Sequence, residues 1–249
     1  MKKILVIGIG AGHPEQITIQ AINALKRADV LFITDKGADK DDLAKFRREI
    51  IERYAPDRSF RIVSIPDPAR DRNPDNYQAT VKTWHAQRAA LYETRLKDDI
   101  GPDETGAFLA WGDPSLYDSI LRILETLRAP LQLQIEVIPG ITSIQALTAS
   151  HAIPLNEIGA PVQITTGRLL AANPPTVDTV VMLDGECAFN TVTDDETEIY
   201  WGAYLGTADE ILISGKVCEV AAKIQQTREA QRRRKGWIMD TYLLRKPRR

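Results

Sequence analysis

The sequence predicts an α/β fold built from two α/β domains, and three observations carry that expectation. Apolar strand patterns alternate with amphipathic helix patterns through the first 152 residues. Two glycine turns, Trp111-Gly112-Asp113-Pro114-Ser115-Leu116-Tyr117 and Val137-Ile138-Pro139-Gly140-Ile141-Thr142-Ser143, each follow an apolar run. Around Pro154 to Pro161 the texture turns richer in sheet, which places a boundary at 156–159 and divides the chain into residues 1–157 and 158–249.

Residues 4–9 read as the first strand, ending in Gly8-Ile9-Gly10-Ala11-Gly12. Ile17, Ile19, Ala21, Ile22, Ala24 and Leu25 then supply the apolar positions of a helix-like pattern, and 30–33 is a second strand ending at Thr34-Asp35-Lys36. Leu43, Phe46, Ile50 and Ile51 line one side of a helix over 42–54, followed by a short strand at 62–65. The proline-rich, charged stretch 66–76 is a loop, placed to cover a site. Val81, Trp84, Ala89 and Leu91 mark a long helix over 77–96. The strand at 107–110 leads into the first glycine turn and a helix over 116–127. The strand at 131–138 leads into the second turn and a helix over 144–152, stopped near Pro154. In the second half, strands are expected at 162–165, 179–183, 197–205, 210–214 and 236–244. Loops are expected at 169–175 and 187–195, and a helix at 217–233.

Composition narrows the function class. An apolar fraction of 43% supplies ordinary cores, and no apolar run is long enough for a bilayer. Met1-Lys2-Lys3 and the short run after it are broken by Gly10, Gly12 and Pro14, so they read as a strand in a cytoplasmic chain rather than a signal peptide. Cys187 and Cys218 are isolated, and His13, His85 and His151 share no metal-ligand spacing, so no metal is expected. A net charge of −2 gives no general pull toward nucleic acid or membrane. The basic runs at 232–235 and 245–249 read as solvated charge.

The glycine segments carry the chemistry. Gly8-Ile9-Gly10-Ala11-Gly12 invites a dinucleotide reading, but the third glycine comes one residue early and His13-Pro14 stands where the helix should open. A tight turn at a sheet edge serves as well. Gly112-Asp113-Pro114 is either a ligand-facing turn or a helix start with Asp as cap and Pro at the first position. Thr142 and Ser143 offer hydroxyls to a ligand, or cap the next helix. As a pair, both turns stand at the carboxyl edge of one parallel sheet, where open α/β folds hold small molecules.

The order of Val6-Ile7-Gly8-Ile9-Gly10-Ala11-Gly12, then Gly112-Asp113-Pro114, then Val137-Ile138-Pro139-Gly140-Ile141-Thr142-Ser143 with Ile153-Pro154-Leu155, resembles the tetrapyrrole methylase family over nearly the whole chain. The resemblance implies two α/β domains with the active site in the cleft between them. The N-terminal domain would lie on the tetrapyrrole side and the C-terminal domain would cover the cofactor. It also implies S-adenosyl-L-methionine as cofactor, S-adenosyl-L-homocysteine as product, and a homodimer. The runs Trp111 to Ser119, Val181-Met182-Leu183-Asp184-Gly185 and Ile199-Tyr200-Trp201-Gly202-Ala203-Tyr204-Leu205-Gly206 resemble the branch serving aerobic cobalamin synthesis. That branch methylates C-1 of precorrin-5 and releases its acetyl group as acetate. Another precorrin or uroporphyrinogen-III methyltransferase of the same fold is the alternative. Uroporphyrinogen and siroheme members usually read Gly-Gly-Asp-Pro at the first turn, and here Trp111 replaces the leading glycine.

By position, the resemblance assigns Gly10, Ala11, Trp111, Gly112, Asp113, Ser115, Leu116, Thr142, Ser143, Met182, Leu183, Tyr204, Leu205 and Gly206 to the cofactor. Lys36, Tyr77 and Arg168 are assigned to the substrate. Acetate release is a hydrolysis, and Asp35 and His85 are the candidates for activating water. Asp35 also reads as a turn former before Lys-Gly, and His85 as a packed helix residue. No Ser-His-Asp arrangement is readable, so nothing supports an acyl-enzyme route.

Overall fold

A computed structural model of the chain describes residues 1–35, 41–69 and 76–247. Contacts divide it into two compact units, Met1–Gly10 with Pro14–Ile141, and Ala11–His13 with Thr142–Arg249.

The first unit contains β1 (Lys2–Gly8), α1 (Ile19–Leu25), β2 (Val30–Asp35), α2 (Asp41–Tyr54), β3 (Arg61–Pro66), α3 (Tyr77–Asp98), β4 (Thr105–Ala110), α4 (Ile120–Leu131) and β5 (Leu133–Ile138). The strands pair in parallel in the order β3-β2-β4-β1-β5. Alternate residues of β1 enter different cores. Ile4 and Val6 pack with Tyr92 and Leu96 of α3 and with Ile123 and Leu124 of α4. Leu5 and Ile7 pack with Ala21 and Leu25 of α1 and with Phe46 and Ile50 of α2. Helices therefore cover both faces, and burial on both faces explains why β1 is an unbroken apolar run.

Two elements of this unit start later than expected. The helix expected from 116 begins at Ile120, because the preceding residues form turns, with Tyr117 left-handed at φ 51°. Asp118 accepts from the Ile120 amide at 2.6 Å and sets the new start. At its other end α4 runs through Pro130 and closes on left-handed Gln132, which delays β5 to Leu133.

The second unit contains α5 (Ser143–Ser150), β6 (Val162–Thr166), α6 (Gly167–Ala172), β7 (Asp178–Met182), β8 (Glu198–Ala203), β9 (Ile211–Lys216), α7 (Val217–Lys235) and β10 (Asp240–Arg245). Its sheet runs β6-β7-β10-β8-β9, parallel between β6 and β7 and antiparallel elsewhere. Trp201, Ile199, Phe189 and Tyr242 form its core with Val217 and Ile224 of α7. The loop expected at 169–175 is partly helical. Leu169, Leu170, Ala171 and Ala172 are good helix formers, and α6 stops only at Asn173, ahead of Pro174 and Pro175. A single 3₁₀ turn, Ala188–Thr191, sits inside the other expected loop. α5 belongs to this unit because it packs on β8: a Cβ on Gly202 would lie 2.8 Å from Leu147, and His151 Nε2 stands 3.1 Å from the Trp201 carbonyl. The division therefore falls ahead of the 157/158 boundary read from sequence texture. Among the described residues, no helix is long and apolar enough to cross a membrane.

Candidate cofactor site

Parallel order brings the carboxyl ends of β4, β1 and β5 out side by side. The Ile9 amide donates to the Ala110 carbonyl at 3.0 Å. Beyond it Gly10 and Gly112 pair as an antiparallel bridge, with Gly112 N donating to Gly10 O at 2.8 Å. The backbones meet with no side chain between them. A Cβ on Gly8 would lie 2.6 Å from Gly140 N and 2.8 Å from Gly112 O, and a Cβ on Gly140 would overlap Gly112 O. Close approach of three chains, not ligand access, is what requires glycine at these positions.

Asp113 binds the two turns together. Its Oδ1 accepts from the Ser115 amide at 2.8 Å and from the Ser115 hydroxyl, and its Oδ2 accepts from the Gly140 amide at 2.8 Å. Asp113 is therefore not the cap of α4 but a strap between strand ends. Burial pushes its carboxyl up, and the hydrogen bonds from Ser115 and Gly140 outweigh that and hold it below the usual range. The Trp111 ring tilts onto Phe46 of α2 with centroids 4.8 Å apart, so the indole fills a packing position. Thr142 caps α5 by accepting from the Ile144 amide at 3.1 Å.

In the second unit, the residues after β7 and β8 are left-handed without being glycine: Leu183 at φ 53° and Tyr204 at φ 51°. Bulky residues persist in that region only where their surroundings enforce it, and such places cluster at functional sites. Leu183 keeps 67% of its surface exposed. Beneath it lies a buried polar network. Asp184 accepts from the amides of Glu186 at 3.0 Å and Ala188 at 2.7 Å and from the Tyr242 hydroxyl at 2.7 Å. Its carbonyl accepts from Arg228. Arg228 pairs with Asp240 at 2.9 Å and donates to Cys187 Sγ at 2.6 Å, while Trp201 Nε1 donates to Asp240 at 2.7 Å. Burial and the Asp184 carboxylate push the Tyr242 phenol far above its ordinary range, so it stays a donor.

The residues expected at the cofactor separate into two groups. Trp111, Asp113, Ser115, Leu116, Thr142, Ser143, Met182, Leu183 and Gly206 keep accessible surface. Gly10, Ala11, Gly112, Tyr204 and Leu205 are buried. The Tyr204 hydroxyl donates to the Trp237 carbonyl at 2.7 Å, and its ring stands edge-on to Trp237. Gly12 lies directly against the Leu205 carbonyl and 2.9 Å, by its absent Cβ, from Thr207 Cγ2. Gly206 N donates to Glu210 at 2.7 Å.

Asp35 ends β2 opposite Pro66, and Tyr77 opens α3. Their side chains, and Lys36 altogether, lie outside the described residues. His85 Nε2 stands 3.1 Å from Ser119 Oγ on the flank of α3. Arg168 is exposed near the start of α6. Two buried charge pairs escaped the sequence reading, Arg228–Asp240 and Arg88–Asp67 at 3.2 Å. Arg88 also donates to the Tyr92 hydroxyl at 2.9 Å and stacks on Trp84 at 4.6 Å.

The sequence matches the profile of the Tetrapyrrole (Corrin/Porphyrin) Methylases over residues 3–221. It is 56% identical to a precorrin-6A synthase [deacetylating] of a Sinorhizobium species, over 99% of this chain and 96% of that one. It is 27% identical to a probable cobalt-precorrin-2 C(20)-methyltransferase of Methanocaldococcus jannaschii, over 63% and 60% of the two chains. Among solved structures, a putative cobalamin synthesis related protein (CobF) of Corynebacterium diphtheriae superposes with a TM-score of 0.85 at 41% identity, over 98% of both chains.

Proposed function

The chain belongs to the tetrapyrrole (corrin/porphyrin) methylase family, and on that footing we propose that it methylates C-1 of precorrin-5 and releases the acetyl group as acetate, giving precorrin-6A. It is an S-adenosylmethionine-dependent methyltransferase of cobalamin biosynthesis. One observation carries the finer reading: the 56% identity to the deacetylating relative runs through 99% of the chain. The match to the precorrin-2 relative fades beyond 63% of it. The glycine edge alone would fit either substrate. We read the chain as a cytoplasmic homodimer.

The residues present fit the cofactor. Leu183 and Met182 offer an apolar surface held in solvent by an enforced backbone, suited to covering an adenine. Ser115, Thr142 and Ser143 add hydroxyls, and Trp111 and Leu116 add half-buried apolar surface. When bound, the cofactor supplies an electrophilic methyl group on a sulfonium. Transfer of that group needs no proton at the donor and gains its rate from alignment. The Asp113 strap and the Asp184 clamp serve this by fixing the backbones that carry Ser115 and Leu183. Arg168 and, beyond the described side chains, Lys36 and Tyr77 are assigned to the tetrapyrrole. Loss of the acetyl group needs a base for water, and Asp35 is assigned that part because it ends β2 at the carboxyl edge of the first sheet. His85 is better read as a packing residue bound to Ser119.

Incubation of the pure protein with S-adenosylmethionine and precorrin-5 tests the reading, with methyl incorporation and acetate followed together. Both are expected in equal amounts. Methyl transfer without acetate overturns the deacetylating half, and transfer only to another precorrin overturns the substrate. Asp35→Asn is expected to slow acetate release more than it weakens S-adenosylhomocysteine binding.

A further inference from the structure

The basic run at 232–235 reads from the sequence as solvated charge, but half of it has another part in the structure. Arg232 and Arg233 are exposed at the end of α7. Arg234 and Lys235 reach back to Asp209, in the turn between β8 and β9. Arg234 pairs with one carboxylate oxygen at 2.7 Å. Lys235 takes the other and lies 5.2 Å from the centre of the Tyr204 ring. Hydrogen bonds from Lys235 and Arg234 hold the Asp209 carboxyl below the usual range. Gly236, left-handed at φ 76°, then ends α7, and Met239 O accepts from the Tyr204 amide at 2.9 Å.

Short links join Asp209 to the stretch Tyr204-Leu205-Gly206. Its amide donates to Thr207 Oγ1 at 3.2 Å, and that hydroxyl donates to the Tyr204 carbonyl at 2.7 Å. The next residue, Glu210, accepts from the Gly206 amide at 2.7 Å and from the Ser150 hydroxyl of α5 at 3.2 Å. No residue from Gly206 to Glu210 is buried, so polar contacts rather than apolar packing hold this stretch.

We propose that Asp209 is a positioning residue for cofactor binding: clasped by Arg234 and Lys235, it fixes the turn that presents Gly206. The inference rests on the assignment of Tyr204, Leu205 and Gly206 to S-adenosylmethionine in the reading above. Without the carboxylate, the adjacent cations of α7 lose their common partner and the turn is free to move. Ordering it again then falls to the ligand, and affinity drops. The core of the second unit lies elsewhere, around Trp201 and Tyr242, so the fold should persist. The side chains of Arg234 and Asp209 are 55% and 34% exposed, which leaves the clasp open to screening by salt. Cofactor affinity should therefore fall with ionic strength even for a ligand without net charge. S-adenosylhomocysteine, with one ammonium and one carboxylate, is such a ligand at neutral pH.

Calorimetric binding of S-adenosylhomocysteine to the full chain tests this at about 0.1 M and 1 M KCl, between which the Debye length falls from about 10 Å to about 3 Å. Wild-type affinity should fall roughly threefold or more over that range. At low salt, Asp209→Asn and the pair Arg234→Gln with Lys235→Gln should each bind roughly threefold or more weakly than wild type, with a flatter salt response. All three substitutions together should be no weaker than the worse of the two, because they break one clasp. Thermal midpoints should stay within about 2 °C of wild type, as expected for surface positions. Additive losses, a salt response that the variants keep, or affinity that falls only in step with the thermal midpoint overturns the proposal. Wild-type protein that fails to bind S-adenosylhomocysteine overturns the cofactor reading and this inference with it. Wild-type binding that the variants leave unchanged overturns the inference alone.

Discussion

At the ends of β4, β1 and β5 three backbones touch with nothing between them, whereas at the end of β7 a single strained residue is propped from below by side chains of β8, β10 and α7. Both regions hold a candidate ligand-facing backbone in place. The first does so by excluding side chains, so its tolerance is steric and local. The second does so by burying charge, so it depends on every member of a network keeping its partner. Rigidity at a site can thus come from too little room or from too many obligations, and the two fail differently.

The sharpest way to break the comparison is to orphan a charge in the network. Arg228→Met leaves the Asp240 carboxylate buried beside Trp201, and should cost about 3–5 kcal/mol in urea unfolding. Adding Asp240→Asn should recover a good part of that loss, and no recovery would mean that packing rather than charge holds the loop. Next comes the steric edge. Gly140→Ala should cost about 1–3 kcal/mol, since its Cβ also meets the Gly8 carbonyl carbon at 2.9 Å. Gly185→Ala, with nothing within 4 Å of its Cβ, should stay within about 0.5 kcal/mol. Equal losses at these two glycines would erase the distinction.

A smaller effect is expected from Asp113→Asn, about 1–2 kcal/mol, because an amide oxygen facing Ser115 keeps both bonds there while the NH2 group cannot accept from the Gly140 amide. The variant also carries a pH signature. The Asp113 carboxyl lies below its ordinary value in the folded chain, so its contribution is complete above roughly pH 4 and fades as pH falls through the folded value. Asparagine should flatten that acid limb. Asp194 in the second unit should retain the rest of it. Burial opposes its ionisation, but hydrogen bonds from Lys246 and Thr197 draw it down to about 2. An unchanged acid limb in stability against pH would remove Asp113 from the account. Among the hydrogen-bond variants the least effect is expected from Thr142→Ala, about 1 kcal/mol for a lost cap.

The same contrast explains what could be read without coordinates. The glycine edge was legible because backbone contact forces glycine, and glycine shows in a sequence at strand ends. Alternating periodicity likewise located β1 to β5 and the sheet-rich second half, within a few residues at the ends. The strap was not legible in full. Asp113 before Pro114 at a strand end looks like a helix cap, and its true partner, the Gly140 amide, lies 27 residues on. The clamp was less legible still. Asp184 lay inside a run already singled out, but nothing in its neighbours points to Tyr242, 58 residues away. Arg228 stands in a helix crowded with arginines that face water, and only packing distinguishes it from them. α6 was hidden by Asn173-Pro174-Pro175, which made four helix-forming residues look like the start of a loop.

The position of β1 carries a consequence for how the chain is made. β1 does not pair with β2, the strand that follows it in the chain: Lys3 waits for Thr105, and Lys2 for Leu133. Synthesis at roughly 5–20 residues per second leaves it single for on the order of 5–20 s. During that interval an apolar strand with two open edges has no native partner, the condition under which chains misassociate or are held by chaperones. The sheet is therefore closed from the middle and late, and a nascent chain stalled before β5 would expose the one strand on which the whole glycine edge depends.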